Sequence, residues 1–285
     1  MNRIVITGIG AVTPMGNTFQ ASWKAACSQR SGIAPVTRFS TSGTPWKVCG
    51  ELKRFDPAPY LSAKEMRRLD PFAQYAVEAA RMAAEDAGLI SSAPSPSPSM
   101  GEGNNTTPPL LKAPTLVRGG DKGEGGVCGL TNDRLGDYLN SGGVIVGSSR
   151  GGIGTLEKAF SLQHSADSTQ RKIRLSPYLM PSTTISMAAS YTAQKLGLRG
   201  YCLGISNACS SGTNAIGEAY RLIRAGFKGP VFAGGTDAPV CLTCLEGYGI
   251  AGALSKNPDQ TASRPFDRHR DGCVLSEGAC VIVLE

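Results

Sequence analysis

Aromatic residues are scarce in this 285-residue chain, at 6%, and charged residues reach only 18%. No stretch approaches the ~18–20 uninterrupted apolar residues that a membrane span needs, so no membrane partner is expected. With 41% apolar residues, this excludes a disordered tail, a coiled coil and a multi-span membrane protein. Histidine is rarer still, with only His164 and His269 present. The nine cysteines (Cys27, Cys49, Cys128, Cys202, Cys209, Cys241, Cys244, Cys273 and Cys280) are odd in number and follow no regular spacing. The start, MNRIVITGIGAVTPMG, looks like a strand and turn rather than a secretory signal, so the cysteines read as free thiols in a reducing compartment and the expected location is cytoplasmic. Cys241 and Cys244 form a CxxC pair, but no second pair or nearby histidine completes four ligands, and the spacing is read as coincidence rather than zinc or redox chemistry.

The net charge of +7 favours an acidic partner but is too diffuse to argue for nucleic acid. The 36 glycines suggest many tight turns and close backbone contacts. A chain this long buries about three quarters of its unfolded surface and needs no disulfide or metal staple.

Along the chain, Arg3 to Thr7 is a β-branched run leading into a Gly8-Ile9-Gly10 turn. Residues 17–28 read as a helix capped by Asn17 or Thr18, and 70–87 as a longer one, with Asp70 at the N-cap and Pro71 in the first turn. Residues 91–126 contain no aromatic residue and are crowded with Pro, Gly and Ser, so they read as a low-complexity surface insertion rather than as an interdomain linker. After it, strands at 143–146, 202–206, 230–233 and 281–284 alternate with helices at 155–163, 182–196 and 211–225. Such alternation predicts an α/β fold with a largely parallel sheet.

The segment with most chemistry in it is 201–226, where a strand runs through Asn207-Ala208-Cys209-Ser210-Ser211-Gly212 straight into a helix. A sharp strand-to-helix turn exposes one side chain among small neighbours, the logic of a nucleophile elbow. At a helix N-terminus, unpaired N–H groups and the macrodipole favour a thiolate and could hold a thioester oxyanion, with Ala208 and Ser210 as the immediate neighbours. On the elbow alone, Cys209 reads equally as a nucleophile or as a buried structural thiol.

RIVITGIGAVTPMGN, PSTTISMAASYTAQKLGLRG, NACSSGTNAIGEAYRLIRAG, GALS and SRPFDRHRDGCVLSEGACVIVLE, in that order, resemble the N-terminal half of a β-ketoacyl-[acyl-carrier-protein] synthase of the condensing-enzyme, thiolase-like superfamily. The resemblance covers the chain outside 91–126 and treats 1–285 as one synthase N-terminal domain. It implies a layered α/β/α fold with a mixed, mostly parallel five-stranded sheet and an antiparallel final strand. Cys209 falls on the position of the family's active-site cysteine. The implied reaction is a decarboxylative Claisen condensation in fatty acid or polyketide biosynthesis, through an acyl-cysteine, with acyl and malonyl thioesters as substrates and without metal or organic cofactor. Lys64, Arg67 and Arg68 match a basic patch that receives the acidic acyl carrier protein; an ordinary solvated helix start is the alternative.

The family's two catalytic histidines belong to its C-terminal half. His164 and His269 match neither position and are expected to be solvated. The chain alone is therefore expected to be nearly inactive in condensation, as a homodimer or as one part complemented by a C-terminal half. Two other readings remain: a non-catalytic carrier-binding or chain-length-type partner, which generally lacks the cysteine, and a poorly folding relic that exposes the 281–284 strand and the 76–87 helix. GSSRGGIG at 147–154 fits no phosphate-loop pattern and reads as a turn with packing glycines. Glu277 and the Asp267/Arg270/Asp271 cluster are expected to hold the last loop rather than to move protons.

Overall fold

Apolar β-branched runs form the strands, and alanine-rich segments with apolar residues at helical spacing form the helices that cover them. The computed structural model describes residues 3–91, 132–165 and 175–285. In chain order the elements are β1 (Ile6–Val12), α1 (Phe19–Cys27), β2 (Ala34–Pro35), β3 (Val48–Cys49), α2 (Ala63–Arg68), α3 (Pro71–Asp86), α4 (Asn132–Asn140) and β4 (Gly143–Gly147). They continue with α5 (Ile153–Ser165), α6 (Leu179–Thr183), α7 (Met187–Leu196), β5 (Cys202–Ile205), α8 (Ser211–Arg224), β6 (Val231–Asp237), α9 (Leu242–Ile250) and β7 (Gly278–Leu284). The expected insertion at 91–126 lies, apart from Ser91, outside the described residues, as does the side chain of His164.

The main sheet has the order β1-β7-β6-β4-β5. β4 is parallel to β5 and β6, whereas β7 runs antiparallel to both β6 and β1. All strands but β7 thus point the same way, which is the mixed, mostly parallel sheet expected. Side chains alternate across it. Val144, Val146, Phe232, Val281 and Val283 meet α3 and α7 on one face, while Ile145, Val231, Ala233, Ile282 and Leu284 meet Ala215 and Ala219 of α8 on the other. The result is a helix–sheet–helix sandwich.

Caps placed from sequence hold. The Thr18 hydroxyl accepts from the Ala21 N–H at 3.1 Å, and the Asp70 carboxylate accepts from the Phe72 N–H at 3.1 Å. Asp70 also accepts from the Thr155 N–H and hydroxyl, at 3.1 and 2.6 Å, tying the start of α3 to the start of α5.

Three expectations need correction. Gly8-Ile9-Gly10 is no turn but the middle of β1, because α3 lies so close that a Cβ on Gly8 or Gly10 would sit 2.1 Å from the Ala83 carbonyl oxygen or 2.0 Å from that of Ala79. The single helix at 182–196 is two helices, α6 and α7, broken across Thr184–Ser186. The Thr183 carbonyl leaves the helical ladder to accept from the Gly152 N–H at 3.3 Å, within a β-branched Thr-Thr-Ile run that packs poorly in a helix. The exposed surfaces of a relic are not there either. Val281 and Val283 are fully buried between β1 and β6, and Ala76, Ala79, Ala80 and Ala83 are fully buried in the core.

Candidate active site

Between β5 and α8 the chain turns within five residues. Ala208 takes φ +47°, a left-handed conformation that costs a residue with a Cβ roughly 1–2 kcal/mol. The buried Ser211 hydroxyl offsets that strain by bracing both sides of the turn. It accepts from the Asn207 N–H at 2.8 Å and donates to the Ala208 carbonyl at 2.6 Å. The Ser210 N–H closes the turn on the Asn207 carbonyl at 3.1 Å, and Asn207 Nδ2 donates to Asn214 Oδ1 at 2.8 Å. Ser210 is the N-cap of α8 and makes no side-chain capping bond, and the Ser211 N–H donates to the Ala208 carbonyl at 3.1 Å.

Glycines let this turn settle onto the sheet. A Cβ on Gly147, at the end of β4, would lie 2.2 Å from the Ser211 carbonyl carbon, and one on Gly235 of β6 would lie 3.0 Å from Gly212 Cα. Around the turn opens a cavity of about 320 Å³, at the carboxyl ends of β1, β4 and β6. Its walls are Val12, Thr13, Gly147, Gly235, Thr236, Asp237, Ser276, Gly278, Ala279 and Cys280 from the sheet and the loop before β7, with Ala208, Cys209, Ser211 and Gly212 from the turn. Cys209 is exposed there, and Ser210 is exposed but not part of the wall. Cys280, exposed in the same wall, has its thiol pKa raised by the protein atoms packed around it.

Asp237 fixes the neighbouring loop. Its carboxylate accepts from the Ser148 hydroxyl at 2.9 Å and from the Ser149 and Arg150 N–H groups at 3.0 and 3.3 Å. The amides a phosphate would need are therefore already occupied by a carboxylate, which agrees with a packing turn at 147–154. Glu277, fully buried, grips Arg38 through both carboxylate oxygens and accepts from the Leu52 N–H at 2.7 Å. Nearby, burial pushes the Tyr75 hydroxyl up and the Cys49 thiol up to about 12. Asp271 accepts from the Ser255 hydroxyl at 2.6 Å and the Lys256 N–H at 3.2 Å, and the Arg270 guanidinium donates to the Asp267 carbonyl at 2.9 Å. These groups fasten the loop before β7. His269 is exposed, accepts from the Arg268 Nε–H at 2.8 Å and takes no part in the cavity wall.

The three basic residues lie together on α2, apart from the cavity wall. Lys64 and Arg67 are exposed, whereas Arg68 stacks on the Tyr178 ring at 4.0 Å. Between them Glu65 completes a capping box with Ser62 and pairs with Lys195 at 2.6 Å. Thr13, Thr236, Asp237, Ser276 and Cys280 were not singled out from sequence. The placement of Thr236 and Asp237 at the carboxyl end of a parallel strand, where α/β sheets hold ligands, is the signal that could have found two of them.

The site is thus an exposed thiol on a strained strand-to-helix turn, over the carboxyl ends of a mostly parallel sheet. The family model for the β-ketoacyl synthase N-terminal domain matches residues 1–106 and 128–285. The chain belongs to the β-ketoacyl synthase family. A 3-oxoacyl-[acyl-carrier-protein] synthase 2 from Synechocystis is 34% identical over 285 residues, covering 99% of this chain and 57% of the relative. Among solved structures, the ishigamide ketosynthase/chain length factor is 25% identical with a TM-score of 0.74, over 99% of this chain and 58% of that one. A type II PKS acyl-carrier protein in complex with its ketosynthase bound to the hexaketide matches at a TM-score of 0.71 and 23% identity, over 99% of this chain and 58% of that one. The chain thus has the thiolase-like fold of the synthases of fatty acid and polyketide biosynthesis, and spans a little over half the length of the curated relative it matches. Among the described residues, no helix is long and apolar enough to cross a membrane.

Proposed function

We propose that these residues form the acyl-accepting half of a 3-oxoacyl-[acyl-carrier-protein] synthase, with Cys209 as the nucleophile. The observation that carries this reading is the placement of Cys209 on the Ala208 elbow, exposed to the cavity at the N-terminus of α8. The thiolate attacks the carbonyl carbon of an acyl-carrier thioester. The oxyanion that forms is stabilised by backbone N–H groups around Cys209 other than those of Ser210 and Ser211, which the Asn207 and Ala208 carbonyls occupy, and the carrier thiol leaves with the electron pair of the broken C–S bond. The second step, loss of carbon dioxide from a malonyl thioester and attack of its carbanion on the acyl group, draws on histidines in the part of the relatives that these 285 residues do not match. A continuation of the polypeptide or a separate chain would supply them, and without them condensation falls by at least about 10²–10⁴.

The acidic carrier protein docks at α2 through the exposed Lys64 and Arg67, with Arg68 held beside them by Tyr178. A homodimer would use β5, which pairs with β4 alone and so leaves one edge open, next to exposed Ile216 and Tyr220 of α8. The stretch 91–126 is an insertion in this domain; its composition supports this, and so does the break in the family match at 107–127. The relationship to a ketosynthase/chain length factor pair keeps one second reading, that of a non-catalytic partner, but the exposed Cys209 favours the enzyme.

Intact-mass analysis after exposure to an acyl-carrier thioester tests the proposal. One acyl group on the wild type and none on Cys209→Ala supports it. Equal acylation of several thiols, or no acylation of a folded chain, would remove the enzyme reading and leave the partner. Lys64→Glu with Arg67→Glu should weaken carrier binding and flatten its salt dependence; an unchanged low-salt titration removes the docking site.

A further inference from the structure

The CxxC pair set aside in the sequence is placed by the fold at the first turn of a helix. Cys241 is the N-cap of α9, with extended backbone at φ −144° and ψ 163°, and Cys244 is the third residue within the helix. N-cap and N3 are the positions whose side chains meet in a capping box, because the N-cap side chain reaches forward and the N3 side chain leans back towards the N-terminus. Here both positions carry thiols. The two positions thus set the thiols beside one another, and the Glu157 carboxylate of α5 approaches the same turn. Glu157 is anchored in turn by the Leu242 and Thr243 N–H groups at 3.2 and 2.5 Å. Arg150 donates to the Tyr248 hydroxyl at 2.9 Å, one helical turn along α9 from Cys244. Among the described residues the two cysteines belong to no group of three or more side chains placed to hold a metal ion.

We propose that Cys241 and Cys244, with Glu157 as proton acceptor and Arg150 as counter-charge, form a dithiol site that a hydroperoxide converts to an intrahelical disulfide. The proposal stands independently of the acyl-transfer reading, which uses neither cysteine. Interaction with the Cys241 thiol, helped by the positive charge of Arg150, lowers the pKa of Cys244, while the same contact and burial raise that of Cys241. Cys244, one helical turn from the Tyr248 that holds Arg150, is the attacking thiolate, and Cys241 is the resolving thiol. The Cys244 sulfur attacks one peroxide oxygen, the O–O bond breaks, and the second oxygen leaves as hydroxide (or alkoxide), which takes a proton from water. The sulfenic acid so formed is attacked by the Cys241 sulfur. The S–O bond breaks as the S–S bond forms, and the Cys241 proton passes by way of Glu157 to the departing hydroxide, giving water. The two thiols lose two electrons in all, and the peroxide gains them. With the cysteines only 6% and 7% exposed, a small peroxide suits the site and a protein disulfide does not.

The test treats the full chain with hydrogen peroxide, alkylates the remaining thiols and maps the tryptic peptide 229–256, which contains these two cysteines and no other. The expected product is that peptide lighter by about 2 Da and closed to alkylation. Cys241→Ser should stop at a sulfenic acid on Cys244 that dimedone traps, Cys244→Ser should slow oxidation of the peptide about tenfold or more, and Glu157→Gln should shift the pH profile of ring closure. Should a variant fail to fold, the wild type in denaturant serves instead, where the disulfide should form about tenfold more slowly once the helix no longer aligns the pair. Faster closure in denaturant, or disulfides joining Cys241 or Cys244 to other cysteines, would overturn the proposal.

Discussion

Two helices rest on the same sheet by the same device, and their surroundings differ completely. At α3, glycines of β1 let an alanine-rich helix approach until backbone nearly touches backbone, and the region is sealed, with Phe72, Ala76, Ala79 and Ala83 fully buried. At the N-terminus of α8, Gly147 and Gly235 allow the same approach, but the region stays open around Cys209 as a cavity of about 320 Å³. In the first place close packing produces stability. In the second it positions a thiol, and the turn that does so holds Ala208 in a strained conformation. Among the described residues the cavity wall carries two thiols, Cys209 and Cys280, with hydroxyls and the Asp237 carboxylate, and no histidine.

Crowding the closed side should break the comparison most severely. Gly10→Val places a side chain within 2.0 Å of the Ala79 carbonyl oxygen, and a loss of more than about 3 kcal/mol is expected, read as loss of a cooperative melt. Next comes the ion pair between exposed Arg38 and buried Glu277, which fastens the loop before β7. Glu277→Ala removes that pair and leaves the Leu52 N–H without its acceptor, and should cost about 1–3 kcal/mol in a denaturant titration, although neither Glu277 nor Arg38 lines the cavity. On the open side the ordering of stability and reactivity should reverse. Ser211→Ala removes the brace of the elbow and should cost only about 1–2 kcal/mol, yet slow modification of Cys209 by a synthase-directed inhibitor more than it shifts the melt. Ala208→Gly relaxes the left-handed residue while loosening the unfolded chain, so its stability should stay within about 1 kcal/mol of wild type.

The smallest effect is one of pH. Burial works to raise the Glu157 pKa, but hydrogen bonds from Thr243, Cys241 and Leu242 outweigh it and hold the carboxylate below its ordinary 4.5. A carboxylate lowered in the folded state contributes stability that is present above the unfolded value and lost as pH falls through the folded one. The Glu157 contribution should therefore be constant above pH 4.5 and decline below it, so the acid-side fall in melting temperature should be shallower in Glu157→Gln than in the wild type.

Much of this was legible without coordinates. The Asp70-Pro71 start of α3 and the Thr18 cap are local chemistry, and both formed where the residues put them. The buried strands β4 and β7 announced themselves as short apolar runs because both their faces are covered. Gly8 and Gly10 misled because a glycine pair signals a turn locally, while its use here is set by a helix more than sixty residues away in sequence. The break between α6 and α7 was equally hidden, since the Thr183 carbonyl answers to Gly152, on a different element. CxxC looked accidental for the same reason: spacing does not say that Cys241 ends a loop and Cys244 opens a helix facing Glu157.

Local residue order by itself determined the α/β class, most element positions and the cysteine to watch, because caps, periodicity and small residues around a turn act over a few neighbouring bonds. Tertiary structure decided that Cys209 is exposed beside a cavity, that Asp237 rather than a phosphate fills the amides of the neighbouring loop, and that Glu277 is an anchor. Each of these depends on which distant backbone amides, carboxylates and glycines come within a few ångströms of one another, and only the packed chain sets those distances.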